Sequence, residues 1–358
     1  MNRCFLFAFS LLVFLTGCSN QRIIDQIQII QSISYDRVED KIKGTVIYGT
    51  FEEKGKTKLL ILETESDAYD DILPRLNAKS AFPIEKGQLR LILFGKEFAK
   101  QGVDTVIHGF SLDPDVGSRL QLGITEHQAG NMLASSKNVN LPFHLADKIN
   151  QNIQKGNLPK MNLHLFLANF YGEGRDPYLP YFIHEKGEVK INGLALFKKG
   201  KYINNIDLRQ SFILKMLVDG SKDGQYKIKI KENKKEGFIL LRNLDAKAKY
   251  TINQIDPIPL ISIDLTINAQ LRHVPLEVDL TENNNILKLE KQMDEHFNKE
   301  VQKLISVFQE YEVDPLGLGD RVRAKSRNWD YGRFRELYPQ LKTTVNTKVK
   351  IIQTGVGE

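Results

Sequence analysis

The residues able to do chemistry are scattered along the chain. Seven histidines stand at His108, His127, His144, His164, His184, His273 and His296. No two of them have the spacing that presents imidazoles to one metal ion, and no His-Glu-x-x-His occurs. The acids Glu52-Glu53 and Asp70-Asp71 are adjacent, but general acid–base work needs a second group placed opposite, and nothing in the sequence brings one there. A solvated face is the plainer reading of both pairs. No serine lies in a nucleophile-elbow pattern. The expectation is therefore no metal, no cofactor, no catalytic residue and no enzymatic activity.

Two further stretches carry chemistry of another kind. Leu15-Thr16-Gly17-Cys18 follows a short apolar run, Cys4 to Phe14, which is preceded by Arg3. A charged start, an apolar centre and a small-residue cleavage site make a secretory signal. The run is shorter than the roughly 20 apolar residues that span a bilayer. The four residues read as a bacterial lipobox, so the expectation is cleavage before Cys18 and lipid on its sulfur. Near the other end, Gly317-Leu318-Gly319 precedes a basic segment holding Arg321, Arg323, Lys325 and Arg327, with the single tryptophan, Trp329, just beyond. Free amides at a helix start attract anions, but Asp320 opposes one there and no Gly-Lys-Ser/Thr follows, so a tight turn is favoured over a phosphate site. The basic residues and Trp329 are the candidate contact with a partner or with lipid headgroups. Their plainer reading is a solvated face with a tryptophan anchored in the core.

The elements that must position these residues come next. At roughly 100–200 residues per domain, 358 residues imply two or three domains. A hydrophobic content of 41% with 26% charged residues is ordinary for a globular chain. The net charge of +6 is mild and mixed with acids; it suits an anionic lipid surface and does not argue for nucleic acid. Cys4 leaves with the signal and Cys18 takes the lipid, so no disulfide is expected.

Strand signals cover Gln26–Tyr35, Lys41–Tyr48 and Lys58–Leu62, which predict an antiparallel sheet. Leu89–Phe94 predicts a central strand. Helices are predicted over Ala68–Asn77, Phe143–Ile153 and Leu163–Phe170. Asn192-Gly193 predicts a hairpin turn between Val189–Ile191 and Leu194–Phe197. In the last third, strands are predicted over Tyr226–Ile230, Gly237–Arg242, Lys247–Ile252, Ile261–Ile267 and Thr343–Ile352. Ile286, Leu289, Met293, Phe297, Val301, Leu304, Ile305 and Phe308 form one apolar stripe on a long helix that should lie across the sheet.

The fold class is thus multi-domain α+β, with antiparallel or mixed sheets flanked by helices and a C-terminal domain of one long amphipathic helix on a sheet. The expected division is a signal peptide at 1–17, a lipidated tether at 18–26, an N-terminal α+β region at 27–200 read as two subdomains, and a C-terminal domain at 201–358. A lipid-anchored solute-binding protein is the alternative. It would require alternating βαβ units building two parallel-sheet lobes.

Several stretches resemble the C subunits of bacterial spore germinant receptors, the GerAC/GerBC lipoprotein family. They are the lipobox, Leu76-Asn77-Ala78-Lys79-Ser80 with Leu89 to Gly95 and Glu97-Phe98-Ala99, and Gly172-Glu173-Gly174-Arg175-Asp176-Pro177 with Leu179-Pro180. Gly193 to Phe197 and Asp314-Pro315-Leu316-Gly317-Leu318-Gly319 with Asn328-Trp329, Tyr338-Pro339 and Thr354-Gly355 complete the set. Members often carry Trp-Asp soon after the lipid cysteine, where this chain has Ser19-Asn20-Gln21-Arg22, so the resemblance does not specify a paralogue group. It implies a three-domain, lipid-anchored, non-enzymatic subunit on the outer face of the spore inner membrane. There it would work beside integral-membrane A and B subunits in nutrient-triggered germination.

Overall fold

The computed structural model describes residues 26–354 apart from 53–55, 118, 140, 142, 221, 233–234 and 276–278. Strands β1 (Gln28–Val38), β2 (Lys41–Glu52) and β3 (Lys56–Ser66) form the expected antiparallel meander. Beyond β1 the sheet changes character. β5 (Leu91–Gly95), β6 (Gln121–Thr125) and β7 (Tyr178–Glu185) follow it as parallel neighbours, and the short β4 (Ile84–Glu85) pairs with the start of β1. The antiparallel β8 (Glu188–Lys198) and β9 (Lys201–Ile206) complete a nine-stranded sheet in the order β3-β2-β1-β5-β6-β7-β8-β9.

The sheet is therefore mixed, an antiparallel meander continued by a parallel centre, within the expected antiparallel or mixed class. Parallel neighbours need crossovers. These are supplied by α1 (Ile72–Lys79), α2 (Lys96–Gln101), α3 (Asp104–Ser111), α4 (Ala129–Val139), α5 (His144–Gln154) and α6 (Leu163–Tyr171). Strands covered on both faces read as unbroken apolar runs, and every residue of β5 is buried. At the far end of β1, the buried Asp36 carboxylate accepts the Ala129 and Gly130 amides at 2.6 and 2.8 Å. The start of α4, which could otherwise draw an anion, is thus occupied by the chain's own acid.

Asn192-Gly193 is not a turn. β8 runs straight through it, and the hairpin turns are Lys186-Gly187 and Lys199-Gly200, each with both residues at positive φ. That backbone twist matches the flanking strands of a tight hairpin. The division expected at 200/201 falls in the second of these turns. Gly193 is needed because a Cβ there would sit 1.8 Å from the Ile206 carbonyl oxygen of β9.

The second sheet holds β10 (Gln225–Glu232), β11 (Lys235–Gln254), β12 (Leu260–His273) and β13 (Lys342–Thr354), in that order. The two strands expected within β11 are one 20-residue strand interrupted by bulges, which let it bend without ending. The long helix α8 (Asn283–Glu310) carries the chain from β12 to its parallel neighbour β13. Its stripe is buried from Leu289 onward, with Met293, Phe297, Val301, Leu304, Ile305 and Phe308 fully inaccessible, while Ile286 in the first turn is half-buried. The same helix also closes the sheet edge. Glu290, Asp294 and Asn298 accept the amides of Ile351, Val349 and Thr347 at 2.6–2.7 Å. An unpaired edge is a template for unwanted pairing, and these three side chains, one helical turn apart, cover it.

α7 (Leu208–Asp219) joins the two sheets, packing on β8, β11 and α8. Ser211 to Leu217 are all buried, as expected of a helix enclosed on every side. Asp207 and Gln210 form a capping box at its start, satisfying two amides that would otherwise be orphaned. Lys215 donates to the Ile153 and Gly156 carbonyls at 2.9 and 2.7 Å, and burial lowers its pKa.

Candidate functional site at the 172–177 and 314–335 contact

Two segments far apart in the chain meet beside α7. One is the loop Gly172 to Pro177, after α6. The other starts at Asp314 and passes through α9 (Leu318–Arg323) and α10 (Tyr331–Leu337). Backbone meets backbone where they touch. The Asp320 amide donates to the Gly174 carbonyl at 2.9 Å, and the Asp176 amide donates to the Asp314 carbonyl at 2.9 Å. Gly174 has φ +75°, and a Cβ on it would lie 2.4 Å from the Gly319 carbonyl carbon. Only glycine allows this approach.

Polar groups fasten the contact from inside. The buried Asp314 carboxylate accepts the Leu318 and Gly319 amides at 3.0 and 2.8 Å. The Gly317-Leu318-Gly319 amides thus serve a turn closed by the chain's own acid. Asp176 accepts the Asp314 amide at 2.7 Å and pairs with Arg335 at 2.9 Å. Arg335 also donates to the Glu312 carbonyl, and the Tyr338 hydroxyl donates to the Val313 carbonyl. Burial pushes the Asp314 carboxyl up to about 7 against the two amides that favour its charge, and the nearby Asp176 adds to the rise.

The residues singled out from sequence now have places. Arg321 lies over the Tyr250 ring, 3.7 Å from its centroid, and the Tyr250 hydroxyl holds the Leu217 carbonyl at the end of α7. Arg323 pairs with Asp320 at 2.7 Å, and Asp320 also binds Arg175. Lys325 and Arg327 are exposed, with no ion pair among the described residues. Trp329 is half-buried, donates its indole N–H to Glu173 at 2.7 Å and packs on Phe334. Arg333 pairs with Asp256 at 3.0 Å. The segment is thus mostly tied down, and its two exposed, unpaired cations follow the end of α9. Cys18 lies outside the described residues.

Sequence reasoning assigned no site role to Asp176, Asp314, Glu173 or Tyr250. A signal existed for the two acids, since both stand in Asp-Pro steps beside glycine pairs, but partnership between positions 138 residues apart is not written in either one. Among the described residues no cluster of three potential metal ligands occurs, and no helix is long and apolar enough to cross a membrane.

This is a two-sheet α+β protein whose halves are joined by a buried helix and a glycine-lined, acid-fastened contact. The chain belongs to the GerAC/GerBC family, the C subunits of spore germinant receptors. The family of spore germination protein N-terminal domains matches residues 20–183, and the spore germination B3/GerAC-like C-terminal family matches 192–355. The chain is 31% identical to spore germination protein GerQC of Bacillus cereus over the whole of both chains. It is 20% identical to the putative spore germination protein YfkR of Bacillus subtilis (strain 168), covering 96% of this chain and 94% of that one. The crystal structure of the GerBC protein shares its fold, with a TM-score of 0.57 at 18% identity over 89% of this chain and 96% of that chain.

Proposed function

We propose that this chain is the lipid-anchored, non-catalytic subunit of a nutrient germinant receptor, held on the outer face of the spore inner membrane beside integral-membrane A and B subunits. The observation that carries the reading is end-to-end identity of 31% with spore germination protein GerQC. The Leu15-Thr16-Gly17-Cys18 stretch supports the anchor. Each buried lipid methylene contributes about 0.8 kcal/mol, and stable anchoring takes two chains, as a diacylglyceryl cysteine supplies. Tethering raises the effective concentration of weak contacts with membrane neighbours, so a modest contact face at Lys325, Arg327 and Trp329 suffices.

Affinity purification of the tagged chain from spore inner membrane tests the reading. The expected result is recovery of two integral-membrane partners, together with loss of nutrient-triggered germination when the chain is deleted. Recovery of the chain alone, with normal germination in the deletion strain, would reject it. Cys18→Ala should leave an uncleaved precursor or release the chain from the membrane.

A further inference from the structure

Arg321 lacks an acid partner among the described residues, as the exposed Arg327 does, but unlike Arg327 it is partly buried. Arg175 and Arg323 share Asp320, Arg333 has Asp256, and Arg335 has Asp176. Arg321 has no carboxylate partner among the described residues, and its Nε is buried without an acceptor. The Tyr250 face compensates part of the charge, but a half-buried cation with an unused donor is costly to leave unpaired.

The surroundings of this group are hollow. Arg321 lines a cavity of about 290 Å³ at the junction of the two halves, and it also borders a second one of about 700 Å³ under the end of β11. The smaller cavity has two kinds of wall. Met161, Leu165 and Val218 contribute apolar lining, while Arg175, Lys160 and Arg321 bring positive charge. The Nε of Arg175 is a second buried donor without an acceptor. Two acids also border the space. Asp320 is engaged by Arg175 and Arg323. Asp219 accepts the Lys160 amide at 2.7 Å and lies beside the Lys160 charge, and burial raises its pKa. One cation is therefore left over, next to an apolar wall.

We propose that this junction cavity binds a small organic monocarboxylate, with the carboxylate on the Arg321 guanidinium and the apolar body against Met161, Leu165 and Val218. A planar fork of donors matches a carboxylate in two places at once. Because the walls come from both halves of the chain, occupancy ties them together and raises the stability of the whole. The assignment goes beyond the receptor-subunit reading, whose own test is co-purification, so either can fail without the other.

Thermal unfolding of the full chain in mild detergent, with calorimetric titration, decides it. Benzoate is the probe, benzyl alcohol its uncharged counterpart, and inorganic phosphate at equal ionic strength the test for a bare phosphate or a lipid-headgroup site. Benzoate should raise the melting temperature saturably, and the other two should not. Arg321→Gln should weaken benzoate binding roughly tenfold or more, while Arg327→Gln, an exposed residue outside the cavity lining, should leave it unchanged. If Arg321→Gln does not fold, Lys160→Glu, an exposed change at the rim, should weaken binding instead. Absence of saturable benzoate binding overturns the proposal. So does equal binding of benzyl alcohol, a response to phosphate without one to benzoate, or wild-type benzoate affinity in the folded Arg321→Gln or in Lys160→Glu.

Discussion

The long helix α8 and the basic segment 321–335 are near neighbours in the chain, and both carry a strong pattern, yet their fates differ. The apolar stripe of α8 went where its spacing pointed, onto the second sheet, with its largest side chains fully enclosed. The cations of 321–335 scattered. One lies on an aromatic ring, three are paired with acids from elsewhere in the chain or from the same turn, and two remain in solvent. Apolar burial is non-directional and needs only a greasy surface opposite. A charge is decided by which partner the fold brings within about 4 Å.

Four variants grade that contrast. The largest loss is expected from Phe297→Asp, which removes a fully buried ring and leaves an unpaired charge in its place. The cost is at least about 5 kcal/mol, read as a collapse of the thermal transition. A mutant melting within a degree or two of wild type would undo the account of α8. Next comes Asp176→Ala. It strands the largely buried Arg335 and frees the Asp314 amide, and should cost about 3 kcal/mol in urea unfolding. A loss typical of an exposed ion pair, below about 1 kcal/mol, would place this contact with the solvated pairs.

Asp314 allows a test by pH. Its folded pKa, near 7, lies above its ordinary value of 3.8. Its protonated form is therefore favoured by folding, and the stabilisation is full below about pH 4 and lost as pH rises through 7. Wild type should lose on the order of 3 kcal/mol from this group between pH 4.5 and 7.5. His144 and His296, whose pKa values are depressed by burial, act in the opposite sense. They favour folding above about 6.5 and withdraw that support as pH falls. The difference between wild type and Asp314→Asn isolates the carboxyl, and a pH slope identical in the two proteins would exclude it as the source.

The smallest effect on stability belongs to Lys325→Glu with Arg327→Glu. Both cations are exposed and unpaired among the described residues, so unfolding should shift by less than about 0.5 kcal/mol. Receptor assembly or germinant response should nevertheless fall if these two residues face a partner. Normal assembly would move the contact face elsewhere. They are better probes than Arg321 and Arg323, whose reversal would set new acids against Tyr250 and Asp320.

Legibility followed the range of each interaction. The first meander, the buried strand β5 and the long helix with β13 behind it were readable because alternation and 3.6-residue periodicity are properties of neighbouring residues. α7 escaped notice for the opposite reason. A helix buried on all sides has no polar face, so it shows no stripe to find. Asn192-Gly193 carried a turn signal, but the close passage of the β9 end, which gives Gly193 its purpose, lies outside any local window. The parallel order of β1, β5, β6 and β7 was hidden too, since a buried apolar strand looks alike whichever way its neighbours run.

By itself the sequence determined the mixed helix–strand composition, the stripe that drives α8 into its sheet, and the family motifs that place the chain among germinant-receptor C subunits. Tertiary structure alone decided that two of those motifs, the Gly172 to Pro177 loop and the Asp314 to Gly319 turn, are halves of one contact. It also decided that Arg321, without an acid of its own, lies at the smaller cavity between the two halves. The reason is the same in both cases. Close backbone approach and charge pairing are set by distances between residues far apart in the chain, and those distances exist only once both sheets have formed around α7.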